Sequence, residues 1–369
     1  MGTTAPLRGH AAGIFSTRPP ELPMFKIDAS HLTRLIVTIL IGVAGGFGAE
    51  QLGVPLPWLL GPLATTALAS VSGIKTVSSK HVLAPARTFL GVAIGASFTP
   101  ALLGRIDEMI LSLAFLPVYI AVIALVGYPF FHRICGFDKP TAYYATMPGG
   151  LPDMIAFGAA AGADVRILSI VQATRAFAVV VILPLFLSMA LGIEFSRGQP
   201  IGSHWNEIPW NEEILILSCA MGGWFVAAKL RIKGATIIGP MLAAAGMSMT
   251  GLISHRPPIE IMTIAQLVVG VSIGCRYAGI DRRTITIAAG SAIGFCILIF
   301  AVAAGFAGFI SVIGNIDFLD TILAYAPGGQ AEMTLLAIIA GADAAFVSLH
   351  HVCRVFVVVL GAPIAQRYL

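Results

Sequence analysis

The chain has 369 residues, of which 57% are hydrophobic, and its mean hydropathy is +0.90. Charged residues make up 11% of the chain, against about 25% in soluble globular domains. This composition excludes a soluble domain, a disordered chain and a disulfide-rich scaffold, and it indicates a helical membrane protein with many spans. The net charge of +4 does not indicate a nucleic-acid partner, because the basic residues fall between apolar segments, as charges in membrane loops do.

The chain divides into a tail, two membrane repeats and a connector. We expect residues 1–31 to form a disordered cytoplasmic tail, because they lack the apolar core of a secretory signal. Met24 is an alternative start. The distribution of apolar segments predicts a first membrane repeat over residues 32–193, a polar connector over 194–211 and a second membrane repeat over 212–369.

Each half contains six apolar segments, and most of them reach the roughly 20 residues that a membrane-spanning helix needs. In the first half they lie at about 33–50, 56–74, 82–104, 109–131, 140–162 and 164–193, and in the second half at about 213–229, 234–254, 259–279, 284–314, 320–341 and 343–366. The fifth segment of each half contains Pro-Gly-Gly at its middle. Proline removes a backbone donor and glycine loosens the chain, so we expect a broken helix there.

The second half repeats the first. The sequence Pro148-Gly149-Gly150 recurs as Pro327-Gly328-Gly329, at an offset of 179 residues. A constant offset over several motifs indicates an internal duplication. The same offset relates further matches: Gly162-Ala163-Asp164 with Gly341-Ala342-Asp343, Arg175 with Arg354, Pro184 with Pro363, and Gly91 with Gly270.

Loop charges decide between two topologies. If all twelve segments span the membrane, the second half places six basic residues outside: Lys229, Arg231, Lys233, Arg276, Arg282 and Arg283. If each Pro-Gly-Gly segment is a re-entrant hairpin, the second half is inverted and all the basic clusters become cytoplasmic. We therefore predict an all-α polytopic protein with two inverted repeats, each of about five transmembrane helices plus one broken or re-entrant segment. Twelve full spans are the alternative.

Two arginines lie inside apolar segments at equivalent positions. Arg175 and Arg354 each have a polar residue, Gln172 or His351, three positions earlier on the same helix face. A charge at membrane depth is costly and is retained where it pairs or serves a pathway. We expect the two arginines to recognise an anionic group, since a guanidinium presents a fork of donors. A fixed ion pair with the acidic residue that follows a Pro-Gly-Gly sequence is the alternative.

Four acidic residues also occupy equivalent positions. Asp153 and Glu332 follow the Pro-Gly-Gly sequences, and we predict coupling to a proton or cation, with a plain helix-start charge as the alternative. Asp164 and Asp343 follow Gly-Ala, and there an N-cap role competes with coupling. The predicted substrate or ion site includes the backbone of four glycines, which are Gly149, Gly150, Gly328 and Gly329.

Five pairs of glycines have GxxxG spacing, which is typical of helices that pack closely in membranes. These pairs are Gly42/Gly46, Gly91/Gly95, Gly158/Gly162, Gly270/Gly274 and Gly290/Gly294. We expect close helix contacts at these faces and no chemistry.

The chain resembles the AbrB family of bacterial membrane proteins in a set of motifs that runs through both halves. They are Trp58-Leu59-Leu60-Gly61-Pro62, Met147 to Met154, Gly162-Ala163-Asp164, Gln172-Ala173-Thr174-Arg175, Ala326 to Met333 and His350-His351-Val352-Cys353-Arg354. The resemblance implies a duplicated multi-span membrane protein, and it implies no established substrate or catalytic residue. Members of the family carry labels such as ammonia monooxygenase and regulator of gene expression, and they are often treated as transporter-like.

These observations predict a secondary, ion- or proton-coupled transporter of the bacterial inner membrane, with a cytoplasmic N-terminus and a small, anionic solute. A membrane regulator is the alternative. A monooxygenase is disfavoured, because the chain has no HxxxH or HExxH spacing and the adjacent His350 and His351 point about 100° apart on a helix. We expect no enzymatic activity and no cofactor or metal. The expected partners are the lipid bilayer, the solute and a second copy in a homodimer.

Overall fold

The computed structural model describes residues 29–54, 56–100, 104, 106–192, 203–232 and 234–365, and within them all regular structure is helical. Residues 29–31, which the prediction assigned to the tail, begin the first helix. Of the predicted connector, residues 203–211 are described. The rest of both segments lies outside the described residues.

The helices follow one order in both halves. In the first half they are α1 (Ala29–Gln51), α2 (Pro57–Val71), α3 (Lys80–Gly95), α4 (Ile106–Ala114), α5 (Leu116–Pro129), α6 (Lys139–Thr146), α7 (Leu151–Ala160) and α8 (Val165–Leu191). In the second half they are α9 (Trp210–Lys229), α10 (Ala235–Met249), α11 (Ile259–Gly274), α12 (Arg282–Gly314), α13 (Phe318–Tyr325), α14 (Gln330–Ala340) and α15 (Ala344–Ala365). The pair α4 and α5 corresponds to the single long helix α12.

Six helical stretches of the described chain are long and apolar enough to cross a membrane. They are Ser30–Gln51, Met109–Ile134, Val165–Met189, Ile259–Tyr277, Arg282–Gly314 and Ala344–Ala362. The apolar helices α2 and α10 are shorter, with 15 residues each. The helices coincide with the predicted apolar segments to within a few residues, except that α3, α10 and α11 end about five residues or more before their segments do. An all-helical, membrane-type architecture is therefore confirmed.

Both Pro-Gly-Gly sequences interrupt a helix, as predicted. The first break, residues 147–150, separates α6 from α7, and the second break, residues 326–329, separates α13 from α14. The backbone is extended at Gly150 and Gly329, with ψ of 133° and 152°, and each glycine immediately precedes the next half-helix.

The two halves pack on each other reciprocally. Helix α2 of the first half packs on α11 of the second, and α10 of the second half packs on α3 of the first. Within the halves, α1 packs on α2 in the same way that α9 packs on α10. Each contact in one half thus has an equivalent contact in the other.

Glycines let these crossing helices approach closely. A Cβ atom added at Gly91 of α3 would lie 2.5 Å from the carbonyl oxygen of Ile237, and one added at Gly270 of α11 would overlap the carbonyl oxygen of Leu59. The backbones are therefore in contact, which confirms the predicted packing role of the Gly91/Gly95 and Gly270/Gly274 faces.

Two other GxxxG spacings do not mark such a contact. Gly162 has a φ of +83° and forms the turn after α7, a conformation that favours glycine over other residues. Gly290 has open space around it, with no described atom within 4 Å of an added Cβ. The expectation of close packing was wrong at these two glycines.

Two buried tyrosines pack at the second break. Tyr119 of α5 and Tyr325 of α13 are fully buried, and their rings meet edge to face with centroids 5.1 Å apart. The Tyr119 hydroxyl donates to the backbone oxygen of Tyr325 at 2.6 Å, and the Tyr325 hydroxyl donates to that of Ser112 at 2.6 Å. These bonds fix the end of α13 against α4 and α5.

The described part of the connector is attached to the start of α11. The Ile259 backbone N–H donates to the Ser203 oxygen at 3.2 Å, and Nδ1 of His204 lies 3.0 Å from Oε1 of Glu260. The hydrogen bond with Glu260 raises the pKa of the exposed His204 imidazole.

Candidate functional site

Arg175 of α8 caps the C-terminal end of α6 at the first break. Its Nη1 donates to the backbone oxygen of Met147 at 3.0 Å, and its Nη2 donates to Oε1 of Gln172 at 2.6 Å. The Gln172 Nε2 in turn donates to the backbone oxygen of Tyr144 at 2.9 Å. The last carbonyl groups of a helix have no donor within the helix, and they form the negative end of its dipole. A buried guanidinium at this end donates hydrogen bonds to the carbonyls and supplies a positive charge.

Arg354 of α15 caps α13 at the second break in the same way. Its Nη1 donates to the backbone oxygen of Ala326 at 2.7 Å, and its Nη2 donates to that of Gly328 at 2.5 Å. The Nε2 of His351 lies 3.0 Å from the backbone oxygen of Leu323, and because a carbonyl only accepts, this nitrogen is the donor.

The two caps share the positions of their donor residues and of two acceptors, and they differ at Nη2, which donates to a glutamine side chain in the first cap and to a backbone oxygen in the second. The offset of 179 that relates the arginines also relates Met147 to Ala326 and Tyr144 to Leu323, which are the acceptors on the two short helices. All four side chains that donate are at most 5% exposed. Capping of backbone carbonyls is a role that the sequence did not predict for them.

The two breaks are close neighbours. Arg175 and Arg354 interact electrostatically, and Tyr119 interacts with both of them. A Cβ added at Gly149 of the first break would lie 3.0 Å from Cγ1 of Val358, which is one turn after Arg354 on α15. Two buried cations and the polar backbone of two interrupted helices therefore occupy one region of the protein.

The predicted acidic residues fold back over the starts of the second half-helices. A Cβ added at Gly150 would lie 3.0 Å from Oδ2 of Asp153, and one added at Gly329 would overlap the Glu332 carboxylate. Both residues are in the first turn of their helices, α7 and α14. A carboxylate beside the free N–H groups of a first turn stabilises the helix start, so the geometry supports this alternative for both residues.

Gly149 and Gly328 make room for methionines. A Cβ added at Gly149 would lie 2.9 Å from the sulfur of Met154, and one at Gly328 would lie 2.6 Å from the sulfur of Met333. The two methionines are again 179 residues apart. Packing against these methionines therefore explains why glycine occupies both positions.

Asp164 and Asp343 are N-caps, as the alternative for them predicted. Oδ1 of Asp164 accepts from the backbone N–H of Arg166 at 2.9 Å and of Ile167 at 3.2 Å. Oδ1 of Asp343 accepts from two N–H groups at the start of α15, both at 3.0 Å. A side chain that accepts these bonds satisfies donors that the helix itself leaves free.

Sequence reasoning missed two further arginines. Arg87 lies in α3 and Arg276 follows α11, and both are half-buried and interact electrostatically with Glu332. Arg276, which was predicted to be a loop charge, lies in the connection between α11 and α12, and its side chain is half-buried. Arg87 lies inside the predicted apolar segment at 82–104. A charge within an apolar segment indicates a functional or paired residue, so this pattern could have identified Arg87.

The described residues contain no group of three or more His, Cys, Asp or Glu side chains arranged to hold a metal ion. Within the same part of the chain, three buried donor or acceptor atoms lack a hydrogen-bond partner, and these are Nε of Arg276, Nδ1 of His351 and Nε of Arg354. His351 and Arg354 lie at the second break, and Arg276 is one of the two arginines near Glu332.

Six membrane-length apolar helices, a duplicated helix order and two arginine-capped breaks define the class, a helical multi-span membrane protein with an internal repeat. The chain belongs to the AbrB family. The family model described as "Transition state regulatory protein AbrB" matches residues 75–369, which confirms the resemblance found in the sequence.

Two relatives align with the chain over almost their whole length. The chain is 27% identical over 344 residues to the protein named "Putative regulator AbrB" of Escherichia coli (strain K12), covering 90% of this chain and 94% of the relative. It is 25% identical over 363 residues to the "Uncharacterized protein YhjN" of Bacillus subtilis (strain 168), covering 90% and 92%. Of these names, one contains the word regulator and neither names a substrate.

Proposed function

We propose that the protein is a secondary transporter of the bacterial inner membrane that carries a small anionic solute by alternating access. The observation that carries this proposal is the pair of arginine-capped breaks, related by one offset, with Gly149 of the first break against Val358 of α15, the helix that carries Arg354. Interrupted helices bring helix ends and free backbone groups to membrane depth, where they hold charged solutes in ion-coupled transporters.

In this proposal the second half is inverted relative to the first, each broken segment is re-entrant and the N-terminus is cytoplasmic. The reciprocal packing of α2 on α11 and of α10 on α3 supports a two-fold axis between the halves. Loop charge favours an axis in the membrane plane, because the exposed Lys75 and Arg283 then share the cytoplasmic side.

The proposed site lies between the starts of α7 and α14. The positive dipole ends of both helices are there, and Asp153 and Glu332 are the proposed coupling residues for a proton or cation. In this conformation the guanidinium groups of Arg175 and Arg354 donate hydrogen bonds to backbone carbonyls. Nε of Arg354 has no partner in the described part of the chain and is open to a solute oxygen. We propose that solute binding also exchanges a backbone bond of either arginine for a bond to the solute, which links solute binding to movement of a break.

A regulatory role is the second candidate, because the relative from Escherichia coli carries the word regulator in its name. We propose that any such effect is indirect and follows from the transported solute. The proposed function involves no catalytic residue, no cofactor and no nucleic acid.

A flux measurement tests the proposal. Purified full-length protein is reconstituted in proteoliposomes and screened on solid-supported membranes against organic acids, amines and cations, with and without a pH gradient. We expect a saturable current for at least one organic acid, strongly reduced in Arg175→Gln and Arg354→Gln. Arg166→Gln, an exposed position at the start of α8, is the matched control. Uptake of radiolabelled acid is measured in parallel, because symport of one proton with one monoanion moves no net charge. A folded wild-type protein that gives neither current nor uptake with any solute contradicts the proposal.

A further inference from the structure

Three charged side chains from both halves form a cluster near the second break. Arg87 lies on α3, Arg276 follows α11 and Glu332 is in the first turn of α14. Helix α3 contacts both α11 and α14. Each arginine is attracted by Glu332, and the two arginines repel each other. We call these three residues the charged cluster.

Among the described residues, the three charges of the charged cluster sum to one positive charge. Glu332 attracts both guanidinium groups, so one positive charge is left over among apolar helices. Arg276 also has a buried Nε–H with no acceptor in the described part of the chain. An unbalanced charge and an unused donor in the same half-buried group both favour binding of an anion that carries acceptor oxygens.

The charged cluster occurs once, although the fold is duplicated. At the offset of 179 residues, the position of Arg87 is occupied by Gln266 and that of Arg276 by Ser97. Neither equivalent position therefore carries a cation. Arg256 lies near them and donates from Nη2 to Oγ of Ser97 at 3.4 Å, but burial lowers its pKa and no carboxylate among the described residues offsets that shift. This asymmetry distinguishes the charged cluster from the two arginine caps, which both halves retain and which hold backbone.

We infer that Arg87 and Arg276 bind the carboxylate of a small monovalent organic acid, with Glu332 limiting the site to one negative charge. A planar guanidinium fork matches a carboxylate, and one added negative charge makes the site neutral. A dianion would leave the site negatively charged in apolar surroundings. The inference rests on the proposed function in one respect, since it takes this acid as the transported solute.

Calorimetry with the full-length protein in detergent tests the inference. The probes are sodium acetate, sodium lactate and sodium benzoate, with sodium phosphate at pH 8 as a mainly dianionic probe and choline chloride as a cation control. We expect at least one monocarboxylate to bind, and Arg87→Gln and Arg276→Gln each to weaken it about tenfold or more, since each removes a charge-assisted contact. Arg166→Gln is expected to leave its affinity unchanged. Glu332→Gln adds one net positive charge and is expected to improve phosphate binding.

Folding of each variant is checked by size-exclusion elution and thermal unfolding. If Arg87→Gln does not fold, Arg87→Lys replaces it, because lysine keeps the positive charge and lacks the planar guanidinium. We expect Arg87→Lys to bind less tightly than wild type. Equal monocarboxylate affinity in wild type and in the folded arginine variants overturns the inference, as does the absence of binding by all three acids. Binding that depends on Arg87 and Arg276 without any flux would instead overturn the proposed function and leave the site in place.

Discussion

Replacing Arg354 by leucine removes the cap of the second break. The backbone oxygens of Ala326 and Gly328 lose their donors and stay buried. Leaving a buried group without its partner costs about 1–3 kcal/mol, so two carbonyls cost about 2–6 kcal/mol. Removing a buried guanidinium recovers part of its desolvation cost. We therefore expect Arg354→Leu to lower the free energy of unfolding by about 2–4 kcal/mol.

Arg175→Leu makes the same substitution at the first break, and its loss of stability can be compared with that of Arg354→Leu. In Arg175→Leu the Met147 oxygen still lies 3.4 Å from Nε2 of Gln172, which can move closer to donate to it. The predicted loss is therefore smaller than for Arg354→Leu, and exposed Arg166→Leu is expected to change little. Unfolding in mixed micelles by titration with sodium dodecyl sulfate measures all three free energies. An Arg354→Leu protein as stable as wild type would refute the capping account.

Three further predictions concern the packing faces, the helix caps and the connector. Gly270→Ala should lower the free energy of unfolding by about 1–3 kcal/mol because its Cβ overlaps a backbone carbonyl, whereas Gly290→Ala, with open space around it, should not; equal effects in the same detergent titration would contradict the packing assignment. Asp164→Ala should cost about 1 kcal/mol through the lost N-cap and Asp164→Asn much less, and equal losses would argue against capping. The His204 pKa, followed by NMR, should fall toward about 6.5 in Glu260→Gln. Because the folded pKa is raised, the stabilisation from this pair is fully present below about pH 6.5 and is lost as pH rises through the raised pKa, and a stability profile with the opposite slope would contradict the pairing.

The sequence predicted the positions of the helices and of both breaks because those features depend on local chemistry. Proline and glycine act on their own backbone, and an apolar run of about 20 residues needs no partner to be recognised. The N-cap role of Asp164 was open to prediction for the same reason, since the backbone N–H groups that donate to it lie within three residues.

The partners of the buried charges were not predictable in this way. Arg175 and Arg354 bind carbonyls 28 residues earlier in the chain, and every backbone position presents a carbonyl, so no residue type marks the acceptor. Arg87 was also missed because charges were compared between the two halves, and its counterpart, Gln266, carries no charge. GxxxG spacing failed at Gly162, where the backbone conformation and not a neighbouring helix requires glycine.

The orientation of the two halves is tested most directly by labelling single cysteines from one side of the membrane. The five native cysteines are replaced, and one cysteine is introduced at either Lys75 or Arg283, which are exposed and belong to different halves. Inverted repeats predict that both positions resist a membrane-impermeant thiol reagent in intact spheroplasts and react after permeabilisation. Reaction of one position from outside, with the other protected, would place the halves in parallel and contradict the transporter proposed here.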